Sequence, residues 1–287
     1  MATREELQRL HPREYADFTY AYPVLSRRSG GVSFGVNLNL DKACNFDCPY
    51  CQVDRTVPGR PKQIDVARIK AEVTALLDSV DANGVCRLPL FEGVADADKK
   101  LRDVALSGDG EPTMVPEFAE VSRALAEAQA ARPDLDFKLV LISNATLLDR
   151  PAVREGVDAL LSRRGEVWAK LDAGTEAWYQ RVNISRVPLD RIEANLVSLG
   201  KEHPFKVQSF FCEAGGKGWE EAEVTAWLER LARVRASGAR ILEVQLYTLA
   251  RRPAEAFVKP VPAAFLEAMR VKVEVLGIPA KVYGVGE

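Results

Sequence analysis

Three cysteines, Cys44, Cys48 and Cys51, fall within eight positions of the stretch LDKACNFDCPYCQVDR, residues 40–55. Thiols at that density serve as a disulfide staple, a zinc site, an electron-transfer centre or the seat of a catalytic iron–sulfur cluster. The chain carries five cysteines, an odd count, and its start, MATREELQRLHPREY, is too charged for a secretory signal. A reducing, cytoplasmic setting is expected, and there metal binding wins over disulfide bonding. Structural zinc asks for four ligands, which would mean recruiting Cys86, Cys212, His11 or His203. An electron-transfer cluster also usually takes four cysteines. Three suffice when one metal position is kept open for a ligand that takes part in chemistry.

The bulk composition sets few limits. A chain of 287 residues, 47% hydrophobic and 28% charged, suits one large α/β domain or two small ones. A net charge of −2 provides no global basic field for nucleic acid. No stretch approaches the roughly 20 apolar residues of a membrane span, so no membrane partner is expected.

The elements that must position the cysteines follow from periodicity. Strands are expected at 32–40, 103–108, 137–143, 166–172, 204–211 and 241–247, with helices at 64–80, 116–131, 151–162, 188–200, 219–236 and 262–276. In the first helix Val66, Ile69, Val73, Leu76 and Leu77 form the apolar stripe. Residues 81–101 read as an insertion or long loop. Six βα units in series predict a parallel sheet, and the cysteines lie at the exit of its first strand, the end that carries chemistry in such folds.

Several strands alternate where a sheet covered on both faces would be apolar throughout. Val32, Phe34, Val36, Leu38 and Leu40 oppose Asn37 and Asn39, and Val167, Ala169 and Leu171 oppose Lys170 and Asp172. Phe205 and Val207 oppose Lys206 and Gln208, while Leu242, Val244 and Leu246 oppose Glu243, Gln245 and Tyr247. Polar groups on an inward face must be hydrogen-bonded or wet. The expectation is therefore an α/β fold, a partial (βα)6 TIM-like barrel with a polar lumen, formed by a core at 31–287 after an N-terminal extension at 1–30.

CNFDCPYC has the form CxxxCxxC with an aromatic residue, Tyr50, before the last cysteine. It resembles the signature of the radical S-adenosylmethionine (radical SAM) superfamily. The resemblance implies that Cys44, Cys48 and Cys51 hold a 4Fe-4S cluster whose fourth iron is chelated by SAM. It further implies reductive cleavage of SAM to a 5′-deoxyadenosyl radical, hydrogen abstraction from a substrate, and a reducing partner such as flavodoxin or ferredoxin. The stretch LSGDGEPTM, 106–114, resembles the family's Gly-Gly-Glu-Pro turn that grips the methionine end of SAM. Gly110, Glu111 and Pro112 match, Asp109 interrupts the glycine pair, and Gly108 stands one place back. Glycines let the backbone approach a ligand closely.

Further cofactor contacts are implied for Tyr50, Ser143, Asn144, Thr146, Lys170, Asp172 and Tyr247. Ser143, Asn144 and Thr146 read equally as a helix cap and turn. Arg251 and Arg252 suit an anionic substrate or a solvated surface. Asn39, Gln208, Cys212 and Gln245 are the candidate catalytic residues; a lone cysteine such as Cys86 or Cys212 is most often an inert buried thiol. SGDGEPT, KLDAG…RVN and VQLYTLARRPAE together resemble the branch related to wyosine-base synthases, a likeness that favours a transfer-RNA nucleoside while nucleoside, peptide and small metabolite all stay open as substrates. The further cysteines of a second cluster are missing from that pattern. A non-catalytic iron–sulfur or zinc-binding module and a glycyl-radical activase stand as alternatives.

Overall fold

In the computed structural model, residues 3–10, 13–60 and 64–283 are described, and the chain divides into two compact units. The first comprises 1–43, 59–142 and 150–166; the second comprises 44–58, 143–149 and 167–287. His11 lies outside the described residues.

The first unit starts with α1 (Arg4–Leu10) and the antiparallel hairpin β1 (Ala21–Ser26) and β2 (Gly31–Val36). Then follow α2 (Val66–Asp78), β3 (Leu101–Leu106), α3 (Phe118–Ala130), β4 (Lys138–Ser143) and α4 (Pro151–Leu161). The strands run β1-β2-β3-β4, and all pairs after the hairpin are parallel. β2 ends at Val36, short of the expected 40. The Asn37 side-chain oxygen accepts from the Asn39 and Asp109 N–H groups at 3.0 and 3.1 Å, and this Asx turn takes the chain off the ladder. Residues 81–101 include short antiparallel bridges, Val80 to Cys86 and Val85 to Lys100, and a 3₁₀ turn at Pro89–Phe91.

The apolar stripe of α2 buries Ile69, Val73, Leu76 and Leu77, and its N-cap Asp65 accepts from the Arg68 N–H at 2.9 Å. Gly156 lets α4 close onto α3, because a Cβ there would stand 2.5 Å from the Phe118 ring. Glu72 is a buried carboxylate with a structural task. Glu72 accepts from the Thr19, Tyr20 and Ala21 N–H groups at 2.8, 2.8 and 3.0 Å and from Arg68 at 2.8 Å. It thereby ties the first edge strand to α2.

The second unit holds β5 (Gly165–Lys170), α5 (Glu176–Val182), α6 (Leu189–Glu202), β6 (Phe205–Phe210) and β7 (Cys212–Ala214). It continues with α7 (Glu221–Ala236), β8 (Ile241–Tyr247), β9 (Val258–Pro260), α8 (Ala263–Val275) and β10 (Ala280–Tyr283). Its sheet runs β5-β6-β8-β10, all parallel, while β7 and β9 form a separate antiparallel ribbon. The exit of β5 is locked to α7. Glu223 accepts from the Gly174 and Thr175 N–H groups and the Thr175 hydroxyl, Arg230 donates to the Gly174 carbonyl at 2.6 Å, and Trp227 Nε1 donates to the Leu171 carbonyl at 3.2 Å. Leu242, expected on the apolar face of β8, is 44% exposed. No helix among the described residues is long and apolar enough to cross a membrane.

Along the chain, β2, β3, β4, β5, β6 and β8 each lead to at least one helix, which gives six βα steps. Burial alone would raise the Glu72 carboxyl, but the hydrogen bonds from Thr19, Arg68, Ala21 and Tyr20 outweigh it and hold the pKa below the ordinary glutamate value. A depressed folded pKa gives stability that is present above the unfolded value of about 4.3 and lost as pH falls through the folded one. Glu72→Gln is therefore expected to lower the unfolding free energy by about 1–3 kcal/mol at neutral pH. In urea titrations its gap to wild type should shrink once the pH drops below about 4; an equal gap at both pH values contradicts the assignment.

Candidate functional site

The cysteine loop belongs to the second unit and contains no helix or strand over 44–51. Other segments of that unit hold it. The Asp47 N–H donates to the Asn183 carbonyl at 2.9 Å, and the Ser185 hydroxyl donates to the Asn45 carbonyl at 2.9 Å. Asn144 Nδ2 donates to Asn45 Oδ1 at 2.6 Å, and Asn45 Nδ2 donates to the Thr146 hydroxyl at 2.7 Å. The Ala254 and Glu255 N–H groups donate to the Cys51 and Pro49 carbonyls at 2.8 and 3.0 Å, so the ARRPAE segment runs along the same loop. An irregular loop held at this many points presents its side chains in fixed places.

The three thiols share one electrostatic neighbourhood. Burial lowers the Arg55 guanidinium pKa, but Cys51, Cys44 and Cys48 together hold it above its usual value, with a hydrogen bond to Cys51. Burial pushes the Cys48 thiol up to about 12, against the pull of Tyr50 and Lys170. A sulfur so placed becomes a thiolate only when a metal supplies the compensating charge. No three His, Cys, Asp or Glu side chains among the described residues are gathered closely enough to hold a single ion. The three cysteines on this loop are soft donors of the type an iron–sulfur group takes.

Behind the loop, Asp172 is the centre of a buried network. Its Oδ2 accepts from Tyr50 Oη at 2.6 Å and Asn183 Nδ2 at 3.0 Å, and stands 3.2 Å from Lys170 Nζ. Its Oδ1 accepts from the Phe210 N–H at 2.9 Å. Lys170 donates to Tyr247 Oη at 2.6 Å and lies over the Tyr50 and Tyr247 rings at 5.3 and 5.2 Å. Burial would lower the Lys170 pKa, yet Asp172, Tyr247 and Cys48 hold it above the ordinary lysine value, so the group stays cationic. Burial, and then Asp172, keep the Tyr50 phenol protonated.

The alternation read in the sequence places a row of polar groups on one sheet face. Lys170, Gln208, Gln245 and Lys281 are in register across β5, β6, β8 and β10, and Trp168, Lys206 and Glu243 form the row before. Gln245 Nε2 donates to the Glu243 carboxylate at 3.3 Å, and Gln208 Nε2 donates to Gln245 Oε1 at 2.8 Å. Glu243 can only accept, so each amide orientation is set in turn. The chain of bonds ends at Gln208 Oε1, a buried acceptor with no partner. Cys212 lies outside this sheet, on the β7–β9 ribbon, and burial pushes its thiol up to about 12. Cys86 is buried beside the Ser79 hydroxyl at 3.7 Å.

In the first unit the GDGEP turn is packed against the end of the chain that enters the cysteine loop. A Cβ at Gly110 would stand 1.9 Å from the Ala43 carbonyl oxygen, and one at Gly108 would stand 2.3 Å from Asn37 Oδ1. The Glu111 N–H donates to the Ala43 carbonyl at 3.2 Å. Asn37 Nδ2 and Arg13 both donate to Asp109. The Glu111 carboxylate is 3% exposed, accepts from Thr113 through N–H and hydroxyl at 3.2 and 2.6 Å, and is followed by Pro112. Asn39 Nδ2 donates to the Glu111 carbonyl at 3.2 Å, which leaves Asn39 Oδ1 as a buried acceptor without a partner. Gly108 and Gly110 thus serve the turn's own packing, and Asn39 Oδ1 is the acceptor it has to offer an ammonium.

Asn183, which contacts the cysteine loop through both carbonyl and amide, ends the RVN stretch of the resemblance but carries no site role of its own in the sequence. It caps α5, a helix of seven residues that is too short to show a period. Asn45 and Trp168 were missed for a similar reason, since a single asparagine or tryptophan has no spacing to read.

No family model matches the chain. The curated relatives it matches are UPF0026 proteins. One from Helicobacter pylori is 29% identical over 137 residues, covering 47% of this chain and 37% of the relative. One from Methanocaldococcus jannaschii is 25% identical over 245 residues, covering 83% and 65%. The chain thus spans between about a third and two thirds of these relatives' length. Among solved structures, a radical SAM methyltransferase from Sphaerobacter thermophilus superposes with a TM-score of 0.61 at 16% identity, covering 92% of this chain and 69% of that one. TYW1 with a lysine–pyruvate adduct superposes with a TM-score of 0.57 at 14% identity, covering 86% and 74%. Spore photoproduct lyase gives 0.56 at 13% identity, covering 92% and 79%. The chain has the radical SAM fold, an α/β partial barrel, as the cysteine spacing and the six βα units led one to expect. Its sequence relatives are the UPF0026 proteins.

Asp172→Asn would leave the buried Lys170 ammonium facing a neutral amide, and the cost of breaking such a pair is about 3–5 kcal/mol. Guanidinium unfolding should show that loss, with part of it recovered in Asp172→Asn/Lys170→Met. A loss below about 1 kcal/mol would remove Asp172 from the centre of the network.

Proposed function

We propose that the protein is a radical SAM enzyme in which Cys44, Cys48 and Cys51 hold a 4Fe-4S cluster and SAM occupies the remaining iron. When bound, the pair supplies reductive cleavage of SAM and a 5′-deoxyadenosyl radical for hydrogen abstraction. The observation that carries the reading is the fixed loop with three cysteine thiols, one short of a closed site, in a chain with the radical SAM fold. Each remaining role belongs to residues described above. The GDGEP turn, through Gly108, Gly110, Glu111, Pro112 and the free acceptor of Asn39, takes the methionine ammonium. Ser143, Asn144, Lys170, Tyr50 and Tyr247 bind and orient the rest of SAM, while Asp172 holds Lys170 and Tyr50 in place. Gln208 and Gln245 meet the substrate.

The core at 31–287 would work in a reducing compartment with flavodoxin or ferredoxin as electron donor. A transfer-RNA nucleoside is the substrate class that the likeness to wyosine-base synthases favours, and the net charge of −2 asks for a local rather than global basic contact. Anaerobically reconstituted protein is expected to be brown, to hold about four irons, to change its cluster spectrum when SAM is added, and to release 5′-deoxyadenosine under reduction. Cys48→Ala should lose all four properties. Colourless, zinc-loaded protein that leaves SAM intact overturns the enzyme reading in favour of a binding module.

A further inference from the structure

We infer that Asn183 is a positioning residue that donates an N–H···S hydrogen bond to the Cys48 sulfur and thereby raises the reduction potential of the cluster. The inference rests on the proposed cluster ligation and adds a residue that ligation does not require. Each cysteine sulfur faces a polar hydrogen of its own. Cys44 faces the Phe46 N–H at 3.5 Å and Asn144 Nδ2 at 4.0 Å, Cys51 faces the Arg55 guanidinium, and Cys48 faces Asn183 Nδ2 at 3.5 Å. Arg55 is exposed, whereas Asn183 is 1% exposed. A fixed dipole in that dry setting is screened least.

The orientation of the Asn183 amide is settled by its neighbours. Nδ2 is 3.0 Å from Asp172 Oδ2 and 3.1 Å from Tyr50 Oη. An Asp172 carboxylate only accepts, so the nitrogen and not the oxygen must point inward; one of its two hydrogens goes to Asp172, and the other is shared by Cys48 Sγ and the Tyr50 oxygen. The backbone adds to this. The Asn183 carbonyl accepts from the Asp47 N–H at 2.9 Å, one residue before Cys48, so side chain and main chain of the same residue grip the same loop. Cys48 Sγ also stands 3.8 Å from that carbonyl, a contact available to a thiol and lost once the sulfur is a metal-bound thiolate. The side-chain N–H is the interaction that survives ligation.

Reduction of an iron–sulfur cluster places extra negative charge on its sulfurs, and hydrogen bonds to them favour the reduced form. Taking Asn183 away is therefore expected to make the midpoint potential more negative. The test is an EPR-monitored redox titration of the reconstituted, SAM-free cluster in wild type, Asn183→Ala and Ser185→Ala. Ser185 holds the same loop through Asn45 and touches no sulfur, so it controls for simple loosening. In Asn183→Ala the ratio of reduced to oxidised cluster at fixed ambient potential should fall about tenfold, a shift of about 59 mV for one electron, and Ser185→Ala should match wild type.

An unshifted Asn183→Ala, or an equal shift in both variants, overturns the inference. A wild type that forms no iron–sulfur cluster overturns the underlying reading instead. If Asn183→Ala does not load, asparagine-amide ¹⁵N labelling in an Asn144→Ala background answers the same question by pulsed EPR. A ¹⁵N hyperfine coupling on the reduced cluster is the expected result, and its absence removes the Asn183 bond.

Discussion

The buried Asp172 carboxylate is the point on which the second unit turns. A charge in a dry interior is tolerated only when its lone pairs are filled and a countercharge is close. Asp172 meets both conditions with groups from four places in the sequence: Lys170 at the end of the strand it follows, Tyr50 in the cysteine loop, Asn183 at the end of α5 and the Phe210 backbone. Each partner is itself engaged elsewhere. Lys170 reaches Tyr247, Tyr50 stacks on Phe210 with centroids 4.0 Å apart, and Asn183 holds Asp47 and Cys48. A loop with no secondary structure of its own thus takes its shape from the end of a strand.

The first unit solves a related problem by steric closeness. The GDGEP turn has no room for side chains at Gly108 or Gly110, because Asn37 and the Ala43 carbonyl fill the space. The Glu111 N–H donates to the Ala43 carbonyl, so the turn and the segment after Asn39 are held to each other within this unit. The packing leaves Asn39 Oδ1 as a buried acceptor without a partner.

Much of this was legible in the residues. The run ILEVQLY is β8 end to end, FKLVLIS differs from its strand by one residue at the start and PFKVQSFF by one residue at each end, because β-branched and aromatic alternation survives in a half-polar strand. The shared face of Lys170, Gln208 and Gln245 followed from period two alone. What escaped was short or non-local. AYPVLS makes β1 despite Pro23, since an edge strand tolerates a missing donor, and β10 has only four residues. Asn37 read as a strand residue but ends the strand, because a side-chain oxygen competes with the ladder for backbone N–H groups. Asn183 is defined by what it touches 135 positions away, which no local pattern records.

The amide row on the second unit's sheet has a direction, and the direction is written at its far end. Glu243, whose side chain is 22% exposed beside Lys206, dictates which atom Gln208 shows at the other terminus. Were residue 243 a lysine, both glutamines would rotate by half a turn at no steric expense, and Gln208 would offer hydrogens where it now offers a lone pair. Under the proposed function, what Gln208 presents to a substrate would thus be dictated two side chains away. Homologues that keep both glutamines and change the charge at 243 would then present the opposite hydrogen-bonding polarity on an unchanged scaffold.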